Sequence, residues 1–258
     1  MSVIDPRAVI DPSARIADGV TIGPYTVIGA NVEIAEGSAI GPHAVIQGPT
    51  RIGRNNRIFQ FASVGEEPQD KKYHGEHSRL EIGDGNTIRE FVTINRGTGE
   101  GGGVTRLGDD NWIMAYCHIA HDCLIGSHTV FANNASLAGH VEVGDHAILG
   151  GFSLVHQFSR LGVRCFLAFG AHVDRDVPPF VLAAGQRATP RGINTEGLRR
   201  HGFDGQTLNA LRQAFKTLYR NGLRLEEALE VLDAAGREVP EVAEVPRFIR
   251  ASRRGIIR

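Results

Sequence analysis

A chain of 258 residues can hold one or two domains with ample core, and its formal net charge of −1 argues against a general nucleic-acid or membrane-surface binder. No apolar run approaches the length of a membrane span and no charged-then-apolar leader is present, so neither a transmembrane segment nor a signal peptide is expected. Cys117, Cys123 and Cys165 form no CxxC pair and are odd in number, which points to reduced, buried thiols in a cytoplasmic protein.

The first element is a repeat. Counting in sixes, Ile10, Ile16, Ile22, Ile28, Ile34, Ile40, Ile46, Ile52, Ile58 and Val64 stay in register, often followed by glycine. Ile82, Ile88 and Ile94 continue it. From Leu107 it runs through Ile113, Ile119, Ile125, Phe131, Leu137, Val143, Leu149, Val155, Leu161 and Leu167 to Val173 without a slip. A period of six is the signature of a parallel β-helix in which three short strands make one coil and the coils stack. Two polar stretches break the pattern, GEEPQDKKYHGEHSR and RGTGEGGG, and read as excursions near 65–79 and 95–104. Irregular loops on a rigid scaffold often carry function.

DVPPF, Asp176 to Phe180, ends the hexads, because paired prolines stop a strand. Helical periodicity takes over from Asn194. Asp204 suits the cap of a helix bearing Leu208, Leu211, Phe215 and Leu218, with Gly222 after its end. A second helix would run over Leu225, Leu229 and Leu232. Pro240 and Pro246 would confine the third to about Arg247 onwards. The expected division is a β-helix over 1–187 and a small helical domain over 188–258, capping the open end of the stack.

Residues eighteen apart lie one above another on adjacent coils, about 4.8 Å apart. His121 should therefore lie under Gly139 and Gly139 under Gln157, with Asp122 under His140 and His156 beside the column. A histidine can take a proton, a carboxylate can orient it, and a backbone N–H above it can hold an oxyanion, with the bare glycine leaving open space. Those are the parts of an acyl transfer. Two other readings of the cluster are a filled subunit interface and a zinc site; HIAHD has no thiolate or carboxylate pattern that demands metal, so none is expected.

The strings IFQFASVGEEPQDKKY, TINRGT, HIAHDC, FANNASLAGHV, VHQF, DVPPF and NTEGLRRHGF, in order over essentially the whole chain, resemble the bacterial UDP-N-acetylglucosamine O-acyltransferases of lipid A synthesis. The resemblance implies a left-handed parallel β-helix, an exception to right-handed crossovers, and a homotrimer with active sites between subunits. It implies His121 as the base, Asp122 as its orienting carboxylate and Gly139 as the oxyanion donor. It places His118, His140, His156 and Gln157 along the sugar, phosphate and acyl contacts, and Asp70 and Lys72 against the sugar and pantetheine. Asn194, Glu196 and Arg200 match the residues that hold the nucleotide. No bound cofactor is implied: phosphopantetheine arrives on acyl carrier protein.

Three positions depart from the family pattern. Asn95 stands where a histidine is common, which opens the alternative of a 3-amino acceptor and an amide product. His201 replaces the second of two paired basic residues. Phe169 occupies the position that limits acyl length, and losing room for methylenes worth roughly 0.8 kcal/mol each implies a chain of about ten carbons rather than fourteen. Arg212, Lys216 and Arg220 form a basic stripe that would steer the acidic carrier protein. The competing readings are the later N-acyltransferase of the same pathway, whose separate leading domain has no room before Ile10, a zinc-dependent hexapeptide anhydrase, and a non-catalytic scaffold.

Overall fold

The computed structural model describes residues 2–258. Short strands, most of two or three residues, form three parallel sheets of eleven, nine and eight strands, here the first, second and third faces of a three-sided prism. The prism is a left-handed parallel β-helix. Each face stacks one row of the hexad residues. Ile22, Ile40, Ile58, Ile88, Ile113, Phe131, Leu149 and Leu167 pair in register on the first. Ile28, Ile46, Val64, Ile94, Ile119, Leu137, Val155 and Val173 do so on the second. All of these point inward and are buried, so the core is a column fed by every sixth residue. Cys117, Cys123 and Cys165 are free and buried in the same column, which pushes each thiol up to about 12.

Most corners turn through a residue of positive φ. On the corner between first and second faces these include Tyr25, His43, Phe61, Phe91, Tyr116 and Phe152, a conformation that bulky side chains rarely adopt. Ring stacking offsets the strain: successive centroids from Tyr25 to Tyr116 lie 5.2, 5.4, 5.2 and 4.8 Å apart. The third corner instead buries a polar ladder. Asn56, Asn86 and Asn111 pass hydrogen bonds from coil to coil, each Oδ1 accepting the next N–H at 2.8–2.9 Å.

Two excursions leave the prism. Ile52 pairs with Ile82 and Ile82 with Leu107, so residues 67–78 and 96–103 are extruded between strands that stay in register. Between the end of the prism and the helices, which pack Phe215 and Tyr219 against its core, stands a hairpin. Val181–Ala184 joins the first face, and Thr189–Ile193 folds back antiparallel on it. The division drawn at 187/188 thus falls inside this hairpin, and helix begins only at Thr195. The C-terminal tail covers the third face, with Asp176 bridged to Ile256.

Four helices follow: α1 Thr195–Arg200, α2 Gly205–Tyr219, α3 Leu225–Gly236 and α4 Pro240–Arg250. Asn194 caps α1 and Asp204 caps α2, accepting the N–H groups of Gly197 and Thr207. The expectation that Pro246 excludes helix before Arg247 is overturned. Pro240 sits in the first turn, where no N–H is needed, and Pro246 lies inside α4 with Val242, Val245 and Ile249 on its buried face. Burying that stripe against Leu208, Leu211 and Leu232 outweighs the lost backbone bond. Among the described residues, no helix is long and apolar enough to cross a membrane.

Candidate active site

HIAHDC occupies the end of a second-face strand and the corner that follows, so consecutive residues project differently. His118 points outward on the face and shares a 2.7 Å hydrogen bond with Thr93 Oγ1. Burial, with a smaller contribution from His121, holds His118 below the usual imidazole range. Asp122 takes the corner itself, at φ 58°, and its side chain is buried. That geometry brings His121 Nδ1 within 2.8 Å of Asp122 Oδ2. With Nδ1–H donating to the carboxylate, Nε2 is the free, proton-accepting nitrogen.

The carboxylate is fixed from its other side by the second excursion. Thr98 N–H donates to Oδ1 at 2.9 Å and Thr98 Oγ1 to Oδ2 at 2.6 Å, while the Asp122 N–H donates to Thr105 Oγ1 at 2.8 Å. Gly101 packs so close to the carboxylate that a Cβ there would collide with it. Burial works against the charge, but the bonds from His121 and Thr98 outweigh it and hold Asp122 below the ordinary carboxylate range. Sequence reasoning missed Thr98, Gly101 and Thr105. The available signal was the register break itself, which showed that RGTGEGGG leaves the prism without showing where it returns.

The eighteen-residue ruler holds above this pair. A Cβ on Gly139 would lie 2.6 Å from His121 Cε1, so glycine is required there. The expectation of open space is corrected: the imidazole fills it. Among the described residues nothing accepts from the Gly139 N–H. His140 stands over Asp122 with Nε2 3.8 Å from Oδ2, its ring edge-on to His121 and stacked on Phe158 at 4.4 Å. Burial is the main cause of its depressed pKa, opposed by the charges of Asp122 and Asp70. His156 and Gln157 are exposed, and His156 Nδ1 faces the Gln157 carbonyl and Arg254 rather than His121.

The first excursion lies beside this corner. Asp70 accepts the Lys72 N–H, and the Lys72 ammonium is 3.8 Å from Glu100 on the second. Asn95 is buried, donating to the Glu67 carbonyl at 2.7 Å, with its Oδ1 buried and unpartnered. It props the first excursion from beneath.

The remaining expected residues stand elsewhere. Asn194 uses its whole amide locally, capping Gly197 and donating to the Arg164 carbonyl on the third corner. Glu196 pairs with Arg200 at 3.3 Å, and His201 lies edge-on to His146, both on that same side. Phe169 is 77% exposed at the first corner, against Phe152. One chain therefore brings His121, Asp122, Gly139 and His140 together, with the excursions over them, but holds α1 and Phe169 on other corners. Ligand atoms of His121, Asp122 and His140 lie within 4.8 Å of one another, a spacing that could admit a metal ion. Entry there would have to displace bonds the carboxylate already makes to Thr98 and His121.

The protein is similar over its full length to acyl-[acyl-carrier-protein]–UDP-N-acetylglucosamine O-acyltransferases of Alkalilimnicola ehrlichii (58% identical) and Halorhodospira halophila (59%), each match covering 100% of both chains. The chain belongs to this acyltransferase family. Residues 176–257 match the family model for domain 2 of UDP-N-acetylglucosamine O-acyltransferase, and residues 1–36 and 105–139 match the bacterial transferase hexapeptide model. Among solved structures, the Acinetobacter baumannii relative superposes with a TM-score of 0.97 at 45% identity, covering 99% of this chain and 100% of that one. The UDP-N-acetylglucosamine acyltransferase of Francisella novicida gives 0.97 at 44% identity, covering 99% and 94%. Within the family fold, domain 2 begins at Asp176, the residue that the tail of this chain clasps.

Proposed function

We infer that this protein transfers a 3-hydroxyacyl chain of about ten carbons from acyl carrier protein to the 3-hydroxyl of UDP-N-acetylglucosamine, the first step of lipid A synthesis, with His121 as general base. The observation that carries the mechanism is the imidazole–carboxylate pair beneath a bare glycine with a free N–H. His121 Nε2 takes the hydroxyl proton as the sugar oxygen attacks the thioester carbonyl, and Asp122 stabilises the imidazolium. The Gly139 N–H holds the oxyanion. Collapse expels the phosphopantetheine thiolate, which recovers the proton from His121. No bound cofactor takes part; the pantetheine group arrives and leaves with the carrier protein.

α1 and the His121 corner face different sides of one prism, which supports a homotrimer in which His121 of one copy and Asn194, Glu196, Arg200 and His201 of another meet the same sugar nucleotide. An exposed aromatic ladder on the first corner, from Tyr25 to Tyr116, supports such a contact. Arg212, Lys216 and Arg220 have no carboxylate partner within 4 Å among the described residues, which leaves the stripe free for an acidic carrier. A cytoplasmic location follows from the carrier's role as donor. Asn95 in place of an imidazole favours including a 3-amino sugar as a second acceptor.

The test is acyl transfer by wild type and His121→Ala, offered carrier proteins of graded chain length with 3-hydroxyl and 3-amino UDP-sugars. Loss of at least a hundredfold in kcat is expected for His121→Ala. Full activity in that variant rejects His121 as the base, and equal use of both sugars rejects the ester as the preferred product.

A further inference from the structure

The tail of the chain is clamped on both sides of two arginines. Asp176 is fully buried and accepts the Ser252 hydroxyl at 2.6 Å and the Arg160 N–H at 2.8 Å. Its own N–H donates to the Gly255 carbonyl at 3.0 Å, and its carbonyl accepts the Ile257 N–H at 2.9 Å. Ile256 and Ile257 are buried beyond it. Between these anchors stand Arg253 and Arg254.

Both arginines line a cavity of about 420 Å³ whose other walls include Gly101, Asp122, His140 and Phe158, so the tail looks onto the catalytic corner. The other charges in this cavity are committed. Glu142 pairs with Arg160 at 2.8 Å, Asp176 holds the tail, and Asp122 is engaged by His121 and Thr98. Among the described residues, neither Arg253 nor Arg254 has a carboxylate within 4 Å. Arg254 Nη2 reaches only the Asp174 carbonyl at 3.3 Å and His156 Nδ1 at 3.4 Å, and its Nε is buried with no acceptor. A buried N–H without an acceptor destabilises the fold, and a guanidinium offers paired donors that match a phosphate.

We propose that Arg253 and Arg254 form an anion subsite of the catalytic cavity that takes a phosphate ester of a substrate. This rests on the acyltransferase reading, which brings two such groups to the site: the diphosphate of the sugar nucleotide and the phosphodiester of the pantetheine arm. The full-length Arg253→Gln, Arg254→Gln and double variants are assayed for KM against each substrate, and for binding of UDP and of 4′-phosphopantetheine by calorimetry.

The double variant is expected to bind one of the two probes at least tenfold more weakly and to raise KM for the matching substrate, with kcat little changed; the probe affected identifies the source. Arg253→Gln alters an exposed side chain and is expected to weaken the same probe about threefold even if Arg254→Gln loosens the tail. Arg254→Lys, which keeps the charge, is expected to recover part of the loss. Wild-type affinity for both probes in the double variant, at an unchanged melting temperature, overturns the subsite. Wild-type protein that binds the probes but transfers no acyl group sinks the functional reading alone.

Discussion

Asp122 makes more hydrogen bonds than any single role requires, and the excess comes from one residue. Thr98 donates twice to the carboxylate that orients His121, so it sets where the imidazole points. Thr98→Val keeps the backbone donor and removes the hydroxyl. It is expected to lower kcat about tenfold, equivalent to roughly 1.4 kcal/mol, and to move the acid limb of the pH–rate profile upward, because the Thr98 hydroxyl is one of the donors that hold Asp122 below the ordinary carboxylate range. Thr98→Ser should restore both; a wild-type profile in Thr98→Val refutes the role. The depressed pKa values of His118 and His140 carry a stability prediction. Both are held neutral in the fold while the unfolded chain titrates near 6.5. Their contribution is complete above that pH and is lost as pH falls below it through the folded values. The melting temperature should drop on acidification below about pH 6.5, and His140→Gln should flatten that drop. An equal slope in the variant removes His140 from the account.

At the scale of elements, the hexad register was legible because one apolar residue every sixth position is both the sequence period and the whole core. Pro246 was misread because a single-residue rule was set against an apolar stripe that only packing reveals. The second face links the His121 corner to the Phe169 corner, and Leu154 stands exposed on it as an apolar surface an acyl chain could follow. Phe169→Gly, at a position 77% exposed, should leave stability within about 0.5 kcal/mol while shifting preference toward fourteen carbons. Unchanged chain preference removes the ruler from Phe169.

At the scale of the whole molecule, the prism sets the proposed base and the proposed nucleotide-binding residues on different corners. His121 faces the second corner and α1 the third, so two inactive variants should complement each other. Mixed assemblies of His121→Ala with Arg200→Ala are expected to recover part of the activity that neither has alone; none recovered from verified mixed oligomers rejects the shared site. By itself the sequence determined the stacked coils, the columns that set His121 beneath Gly139 and Asp122 beneath His140, and the two breaks in the register, since each follows from a fixed period along one dimension. Only the tertiary structure decided that Thr98 grips Asp122, that a tail and a hairpin join the end of the prism, and that Arg253 and Arg254 reach the cavity beside Asp122 and His140. Those contacts join segments with no common period, and their spacing is set by where loops and helices come to rest on the prism.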